Sequence, residues 1–190
     1  MKLLIASNNR HKIREIRQIL GERFEEILSL SDAGIDHETV EDGKTFYENA
    51  RKKAAEIAAI SGLPTLADDS GLCVDALGGA PGVYSARFAG EHGDTEANNA
   101  LLLEKLRGVS DRRAHFLCTT VLIFPDGREI SAEGRIDGVI LGEHRGQGGF
   151  GYDPLFLPEG GCQTLAELSE EEKNAISHRR RALEALLAKL

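Results

Sequence analysis

Two adjacent carboxylates, Asp68 and Asp69, follow a short apolar stretch and precede Ser70. Side chains alternate along a strand, so only one of the two acids would point to a given face of a sheet. Carboxylates at a strand end can bind a hard cation, and they can act as general bases. Asp, Ser and Gly are also common in solvent-exposed turns, so the pattern alone leaves both interpretations open.

A second polar cluster, Ser7-Asn8-Asn9-Arg10-His11-Lys12, follows the first apolar segment of the chain. The pattern predicts a strand that ends at Ala6 and a helix capped by Asn8 or Asn9. Backbone N–H groups at a helix N-terminus favour an anion, and Lys12 adds a positive charge there. An ordinary helix cap with solvated basic residues is the alternative.

Three further segments could contribute to a site. Glu41 precedes a predicted helix, where it either shares a metal with Asp69 or complements the helix dipole. Phe150 stands between glycines and can present its ring to a base, or it is buried in a turn. The run Ser177-His178-Arg179 opens the last predicted helix and offers donors for a carbonyl or a phosphate, or it is a solvated basic run.

The elements that must position these residues alternate between strands and helices. A Thr45-Phe46-Tyr47-Glu48 capping box predicts the start of one helix, and Gly62 predicts its end. Strands interleaved with helices, together with a hairpin at 125–127, favour an α/β fold with a mixed sheet. The predicted strands cover 2–6, 66–67, 72–76, 114–124, 128–133 and 135–141, and the predicted helices cover 9–20, 45–60, 94–106 and the C-terminal segment.

Composition narrows the class of protein. The chain has 190 residues, a net charge of -8 and 41% hydrophobic residues, which predicts one globular domain. The acidic excess argues against a protein that coats nucleic acid but allows a nucleotide substrate. Three separated cysteines without a CxxC pair predict neither a zinc cage nor disulfides, in keeping with a reduced cytoplasm. The first apolar run is too short for a signal segment or a membrane span.

The stretch from Gly146 to Gly151 matches the dinucleotide-binding pattern GxGxxG by its letters alone. That pattern belongs after the first strand of a βαβ unit and should open a long helix. Here it comes late in the chain and is followed by Tyr152-Asp153-Pro154. These glycines are therefore interpreted as allowing the backbone to approach a flat ligand closely.

Taken in chain order, the polar blocks resemble the inosine/xanthosine triphosphate pyrophosphatases, a family that removes nonstandard purine nucleotides from the nucleotide pool. The resemblance covers nearly the whole chain. The matching blocks are Ser7-Asn8-Asn9 with Lys12, Glu41 with Thr45-Phe46 and Glu48-Asn49-Ala50, Ala67 to Leu72, Gly79 to Arg87, Gly148 to Phe156, and Ser177-His178-Arg179.

The resemblance implies one α/β domain over residues 1–190, with a mixed twisted sheet flanked by helices and two lobes around a central cleft. It implies a Mg²⁺-dependent, homodimeric cytoplasmic enzyme that does not bind nucleic acid or membranes. The implied reaction converts ITP, dITP or XTP to the monophosphate and pyrophosphate. A Maf-like pyrophosphatase for modified pyrimidine nucleotides and a non-catalytic nucleotide-binding protein are the alternatives.

The resemblance also implies roles for individual residues. Asp69 resembles the general base and a magnesium ligand, Glu41 a second metal carboxylate, and Asp68 a supporting acid and further ligand. Phe150 would stack on the purine, and Asp153, His178 and Arg179 would read its oxygenated edge. The implied substrate residues are Ser7, Asn8, Asn9, Arg10, His11, Lys12, Lys52 or its neighbour Lys53, Ser70, Phe150, Gly151, Tyr152, Asp153, Lys173, His178 and Arg179.

Overall fold

The computed structural model describes all residues from Met1 to Leu190. Six strands form one sheet in the order β2-β1-β3-β4-β5-β6. The strands are β1 (Lys2–Ile5), β2 (Glu26–Ser29), β3 (Thr65–Val74), β4 (Arg113–Ile123), β5 (Glu129–Ile140) and β6 (Phe156–Pro158), and the helices are α1 (Arg10–Leu20), α2 (Phe46–Ser61), α3 (Thr95–Lys105), α4 (Glu170–Ile176) and α5 (His178–Leu187).

The sheet is mixed. Strand β1 pairs in parallel with β2 and with β3, whereas β5 and β6 pair in antiparallel register. Parallel neighbours require crossover connections, and α1 and α2 provide them here. The predicted fold class, an α/β fold with a mixed sheet and flanking helices, is confirmed.

The chain divides into two compact units. Unit 1 contains residues 1–69, 118–134 and 179–190, and unit 2 contains residues 70–117 and 135–178. In unit 1, helix α1 contributes Ile16 and Leu20 to a core with Leu3 and Leu183, while Ala50, Ala54 and Ile57 of α2 belong to a second cluster. The core of unit 2 includes Phe116, Phe156, Leu102 and Leu155. That the chain is one two-lobed domain stays a prediction.

Helix starts and ends lie where the sequence predicts them. Asn9 caps α1, and Thr45 and Glu48 form the predicted capping box of α2. Gly62 ends α2 with a left-handed φ of 65°, a conformation that favours glycine. These local signals set the register of both helices and hence the direction of their polar side chains.

The sequence predicted two short strands separated by a turn where the structure has the single strand β3. It runs without interruption through Asp68-Asp69-Ser70-Gly71. Both carboxylates are buried and have polar or cationic partners, so neither needs a turn to reach solvent. Burial with charge partners therefore overrides the turn preference of these residues.

Other differences concern short or broken elements. Strands β2 and β6 are too short to produce a clear periodic signal, and neither was predicted. Strand β5 is one element where two strands were expected, with Gly134 buried inside it. No helix has both the length and the apolar character needed to cross a bilayer. The three cysteines are free thiols.

Candidate functional site

The turn between β1 and α1 uses its own side chains to hold the helix start. The Oδ1 atom of Asn9 accepts hydrogen bonds from the backbone N–H groups of His11 at 3.0 Å and Lys12 at 3.2 Å. The hydroxyl oxygen of Ser7 accepts from the N–H of Asn9 at 3.1 Å. The predicted phosphate-binding residues are thus brought together at the N-terminus of an 11-residue helix.

Helix α1 aims Lys12 at strand β3. The Lys12 ammonium lies 3.0 Å from Oδ2 of Asp68, and this carboxylate is almost completely buried. The same oxygen accepts from Nη2 of Arg179 at 3.1 Å and from its Nε at 3.2 Å. Arg179 also donates to Glu15, and both side chains are buried. These four residues (Lys12, Glu15, Asp68 and Arg179) form what we call the buried ion cluster.

Charge partners control the ionisation of Asp68. Burial alone would raise its pKa, but the positive charges of Lys12, Arg179 and Lys53 outweigh that effect. The net result holds the pKa of Asp68 well below its usual range, so the carboxylate is ionised in the folded protein at neutral pH.

The buried ion cluster bears on two predicted roles. All three guanidinium nitrogens of Arg179 already donate to Asp68 or Glu15 within unit 1. This arrangement fits a residue that positions the acid, and the base-reading role of Arg179 stays a prediction. Oδ2 of Asp68 is similarly committed, whereas its Oδ1 is buried without a hydrogen-bond partner. Only that Oδ1 is left to act as the predicted metal ligand.

Asp69 is held by helix α2. Its Oδ2 atom accepts from Nδ2 of Asn49 at 3.0 Å, and its Oδ1 lies 4.0 Å from the ammonium of Lys53. That ammonium also lies 3.2 Å from Oε1 of Glu41 and donates to the carbonyl oxygen of Asp68 at 2.9 Å. Glu41 and Asp69 thus share one lysine, and we call these two acids the carboxylate pair.

The pKa of Asp69 shifts in the opposite direction from the pKa of Asp68. Burial raises the pKa of Asp69, and the negative charge of Glu41 adds to the effect. Lys53 and Lys12 oppose this rise without cancelling it. Adjacent carboxylates whose pKa values move in opposite directions are typical of sites where one acid is structural and the other takes part in proton transfer.

The carboxylate pair fits a hard divalent cation. Mg²⁺ is usually held by one or two carboxylates together with substrate phosphates, and it keeps several waters. Glu41 and Asp69 supply two such oxygen donors, and they converge on a cationic group already. Their roles as metal ligands and the catalytic role of Asp69 stay predictions.

Lys52 and Lys53 take different directions on α2. Lys52 pairs with Asp42 at 2.7 Å, and 35% of its side chain is exposed. Lys53 pairs with Glu41, and only 12% of its side chain is exposed. The structure therefore places the second lysine, and not Lys52, beside the predicted catalytic carboxylate.

In unit 2, the glycine-rich loop presents Phe150 beside Lys173. The Lys173 ammonium lies 4.3 Å from the centre of the Phe150 ring and 2.5 Å from Oδ2 of Asp153. The same Asp153 oxygen accepts from the backbone N–H of Phe150 at 2.8 Å. Gly149 has a φ of 69°, and a Cβ there would lie 2.2 Å from that oxygen, so the loop requires glycine at this position.

Two other glycines of this loop approach protein backbone. A Cβ at Gly146 would lie 2.5 Å from the carbonyl carbon of Ala166, and Gly148 donates its N–H to the carbonyl oxygen of Ala166. The close approach that the glycine pattern predicted is real. At Gly146 and Gly148 its partner is the chain itself and not a flat ligand.

The remaining predicted residues of unit 2 are held by packing or hydrogen bonds. His178 stacks on Phe116, with 5.0 Å between ring centroids. Tyr152 donates its hydroxyl to the carbonyl oxygen of Ser85 at 2.7 Å. The carbonyl oxygen of Gly151 accepts from Asn99 at 3.1 Å. Ser70 follows Asp69 in β3 and is partly buried. The roles of His178, Tyr152, Gly151 and Ser70 toward a substrate stay predictions.

Sequence reasoning assigned no role to Asn49, which holds Asp69, or to Glu15, which holds Arg179, and it left Lys52 and Lys53 as alternatives. Asn49 and Lys53 are four residues apart, so they lie on one face of α2 with the buried Ala50 and Ala54. That helical spacing was a usable signal for choosing the second lysine. Glu15 and Arg179 are 164 residues apart, and no local pattern connects them.

Comparison with known proteins gives a consistent result. Residues 3–189 match the model of the Ham1 family. A dITP/XTP pyrophosphatase of Geobacter sulfurreducens is 54% identical, over 97% of this chain and 94% of its own. A dITP/XTP pyrophosphatase of Clostridium perfringens is 52% identical, over 97% and 95% of the two chains.

Solved structures agree with the sequence relatives. The Ham1 protein of Staphylococcus aureus has a TM-score of 0.89 and is 42% identical, with 100% of this chain and 97% of that one covered. A HAM1 protein from Coxiella burnetii has a TM-score of 0.90 and is 39% identical, with both chains fully covered.

Proposed function

Because this chain belongs to the Ham1 family, we propose that it hydrolyses nonstandard purine nucleoside triphosphates (ITP, dITP and XTP) to the monophosphate and pyrophosphate. The observation that carries the proposal is about 50% identity, over nearly the whole chain, to relatives named dITP/XTP pyrophosphatases. The arrangement of Asp69 beside Asn49 and Lys53 supports it from the chemistry of the residues. Neither alternative, pyrimidine pyrophosphatase or binding protein, gains support from these relatives.

In this proposal Asp69 holds or deprotonates the water that attacks the α-phosphorus. Burial raises the pKa of Asp69, which makes it a stronger base toward water than an exposed aspartate. Asn49 fixes the carboxylate through Oδ2, so the other oxygen stays directed at Lys53. No residue needs to form a covalent bond to the substrate.

Lys12 and the N-terminus of α1 are the proposed holders of the triphosphate. The backbone N–H groups of His11 and Lys12 already donate to Asn9, so this cap keeps the first turn in place. Charge on the leaving pyrophosphate is stabilised by the lysine and the helix dipole. A fixed cationic group costs no reorganisation during the reaction.

We propose Mg²⁺ as the cofactor, held by Glu41 and Asp69. Two hard carboxylate oxygens that already share a cation support this choice. When bound, the ion neutralises charge on phosphate oxygens and orients the leaving group. Glu41 has no other task in the proposed reaction than to hold the ion.

The purine is proposed to bind in unit 2, with Phe150 stacking on the base. The Lys173 ammonium lies against the Phe150 ring. One oxygen of Asp153 pairs with that ammonium and accepts a hydrogen bond from the backbone N–H of Phe150. His178 is the proposed donor to the carbonyl at the purine 6-position, where adenine carries an amino group. A site built on such a hydrogen bond discriminates strongly, because the wrong base leaves polar groups unpaired.

We propose a homodimer in the cytoplasm on the strength of the family resemblance. Three free thiols are in keeping with a reducing compartment. Sedimentation equilibrium of the purified chain tests the dimer, and a single species at 20.6 kDa would contradict it.

The test of the function is pyrophosphate release from ITP, dITP, XTP, GTP, ATP and dTTP, with and without Mg²⁺. Release from ITP, dITP and XTP only in the presence of the ion supports the proposed substrate and cofactor together. Equal release without any divalent ion would contradict the proposed Mg²⁺ requirement but not the proposed substrates. Release from dTTP in preference to ITP contradicts the purine assignment.

A further inference from the structure

The short 3₁₀ helix Gly82–Arg87 lies in a block that carries the family resemblance, and it has no task in the proposed reaction. Within it, the Ser85 hydroxyl accepts from the backbone N–H of Leu72 in β3 at 2.9 Å. The same hydroxyl donates to the carbonyl oxygen of Gly82 at 2.6 Å. The carbonyl oxygen of Ser85 accepts from the hydroxyl of Tyr152 at 2.7 Å. Ser85 therefore joins a strand of unit 2 to the end of the glycine-rich loop.

Tyr152 follows Phe150 by two residues and is bonded at its far end. Its ring belongs to the core of unit 2 with Leu102 and Phe116, and only 4% of the residue is exposed. Burial raises the pKa of its hydroxyl, so this group stays protonated and donates to the Ser85 carbonyl. A side chain this buried is placed to hold the loop and not to touch a nucleotide.

A second hydrogen bond holds Gly151, the residue between Phe150 and Tyr152. Nδ2 of Asn99 in α3 donates to the carbonyl oxygen of Gly151 at 3.1 Å. Asn99 is only 3% exposed, and its Oδ1 is buried without a hydrogen-bond partner. A buried acceptor without a partner lowers stability, so this amide is not explained by stability alone. Its bond to Gly151 points to a task in the loop.

The backbone is also bonded on the other side of Phe150. Gly148 donates its N–H to the carbonyl oxygen of Ala166 at 2.9 Å, and Phe150 donates its own N–H to Asp153. The Phe150 ring is partly buried and lies against the Lys173 ammonium. Because the loop is bonded on both sides of this ring, the position of the ring depends on those bonds.

We propose that Tyr152 and Asn99 are positioning residues for base binding, since they hold the loop that presents the Phe150 ring to the purine. The inference rests on the proposed function, which places the purine on Phe150. It gives Tyr152 a role through Ser85 in place of the substrate contact that the resemblance implies. Without either bond the loop gains further positions, and the affinity for the base falls with the fraction of molecules whose loop is in place.

Tyr152→Phe tests the proposal, because it removes the hydroxyl and leaves the ring in the core. Calorimetry compares two ligands: IMP, which carries the base, and tripolyphosphate, which does not. We expect the Kd of IMP to rise about tenfold, as loss of one buried hydrogen bond allows, and the Kd of tripolyphosphate to stay within about twofold. In steady-state kinetics on ITP, KM should rise by a similar factor while kcat stays within about twofold.

Tyr84→Phe is the matched control. It removes the same hydroxyl one residue before Ser85, from a side chain on the same 3₁₀ helix that is 56% exposed. Its Kd for each ligand should equal that of the unchanged protein. Asn99→Leu is the second variant, and it should weaken IMP binding in the same selective way as Tyr152→Phe.

The two ligands separate positioning of the base from general damage to the fold. Equal weakening of IMP and tripolyphosphate in both variants would indicate such damage and overturn the proposal. An unchanged Kd of IMP in both variants would also overturn it, and ITP hydrolysis by the unchanged protein would then leave the proposed function intact. If the unchanged protein neither binds IMP nor releases pyrophosphate from ITP, the proposed function fails and this inference fails with it.

Discussion

At the scale of single residues, the two lysines of α2 differ more than their adjacency suggests. Lys53 contacts Glu41, the carbonyl of Asp68 and, more distantly, Asp69. Lys52 pairs with Asp42 and is more exposed. We expect Lys53→Met to lower kcat/KM for ITP by about tenfold or more, because a fixed charge beside the reacting group is lost.

Lys52→Met is the matched control for Lys53→Met. The two changes remove the same side chain one position apart, and steady-state kinetics on ITP compares them directly. Lys52→Met should stay within about twofold of the unchanged enzyme, as expected for an exposed ion pair. A larger loss at Lys52 than at Lys53 would contradict the placement described here.

Asp69→Asn is expected to abolish pyrophosphate release while nucleotide binding is largely retained. The substitution keeps the size of the side chain but removes the base and one of the two proposed metal oxygens. Turnover and ITP binding by calorimetry are the two measurements. Asp42→Asn, at a carboxylate that is 68% exposed, serves as control and should turn over normally. Full turnover in Asp69→Asn would remove this residue from the mechanism.

The candidate site could be predicted from the sequence only where local spacing decides. The helix cap at Asn9, the capping box at Thr45 and the two acids of β3 follow from residue types within a few positions. The partners of those acids could not be predicted, because Arg179, which also binds Glu15, reaches Asp68 through tertiary packing. The sequence analysis left Lys52 and Lys53 as alternatives, although helical spacing puts Lys53 on the face of α2 that carries the buried Asn49, Ala50 and Ala54.

At the scale of elements, the glycine-rich loop shows what a left-handed backbone position requires. Gly149 and Gly151 have similar φ values of 69° and 61°. A Cβ at Gly149 would collide with Asp153, whereas nothing lies within 4 Å of a Cβ at Gly151. We expect Gly149→Ala to destabilise the protein by about 1–3 kcal/mol more than Gly151→Ala, since it adds overpacking to the same backbone strain.

Urea denaturation of the two glycine variants measures this difference. The pair controls for the backbone term, because both substitutions place alanine at positive φ. Equal losses of stability would mean that Asp153 moves aside without cost. That result would also weaken the view that Asp153 rigidly joins Phe150 to Lys173.

Element boundaries were predicted well where capping residues mark them and poorly where strands are short or polar. Strand β3 carries its acids in mid-strand, against their turn preference, because tertiary charge partners compensate. Strand β6 has only three residues, which is too few for any periodicity. The parallel pairing of β1 with β3 joins residues 61 positions apart, such as Leu4 and Thr65, and could be expected only from the fold class.

At the scale of the whole molecule, the buried ion cluster makes stability depend on pH. The pKa of Asp68 is lowered in the folded state relative to about 4 in the unfolded chain. A lowered carboxyl pKa contributes stability above the unfolded pKa, and that stability is lost as pH falls through the folded pKa. The protein should therefore lose stability below about pH 4.

We expect Asp68→Asn to lose about 3–5 kcal/mol of unfolding free energy at pH 7, because Arg179 and Lys12 keep their buried charges without this partner. Its stability should also fall less steeply between pH 5 and pH 2 than that of the unchanged protein. Denaturation midpoints across this pH range measure both effects. Asp111→Asn, at a partly exposed carboxylate whose pKa is also lowered to about 2, is the control and should lose much less stability, because its partner Arg113 stays in water. Parallel pH curves for the Asp68 variant and the unchanged protein would contradict the assignment.

The division of the chain has a consequence for protein synthesis. Unit 1 takes its last segment, 179–190, from chain that is made after the whole of unit 2, about 110 residues beyond Asp69. That segment supplies Leu183 and Leu186 to the core and Arg179 to the buried ion cluster. At roughly 5–20 residues per second, translation leaves residues 1–69 without these partners for about 5–20 s. Until α5 emerges, the ribosome-bound chain can therefore pair Asp68 with Lys12 but not with Arg179, and the core around α1 lacks Leu183 and Leu186.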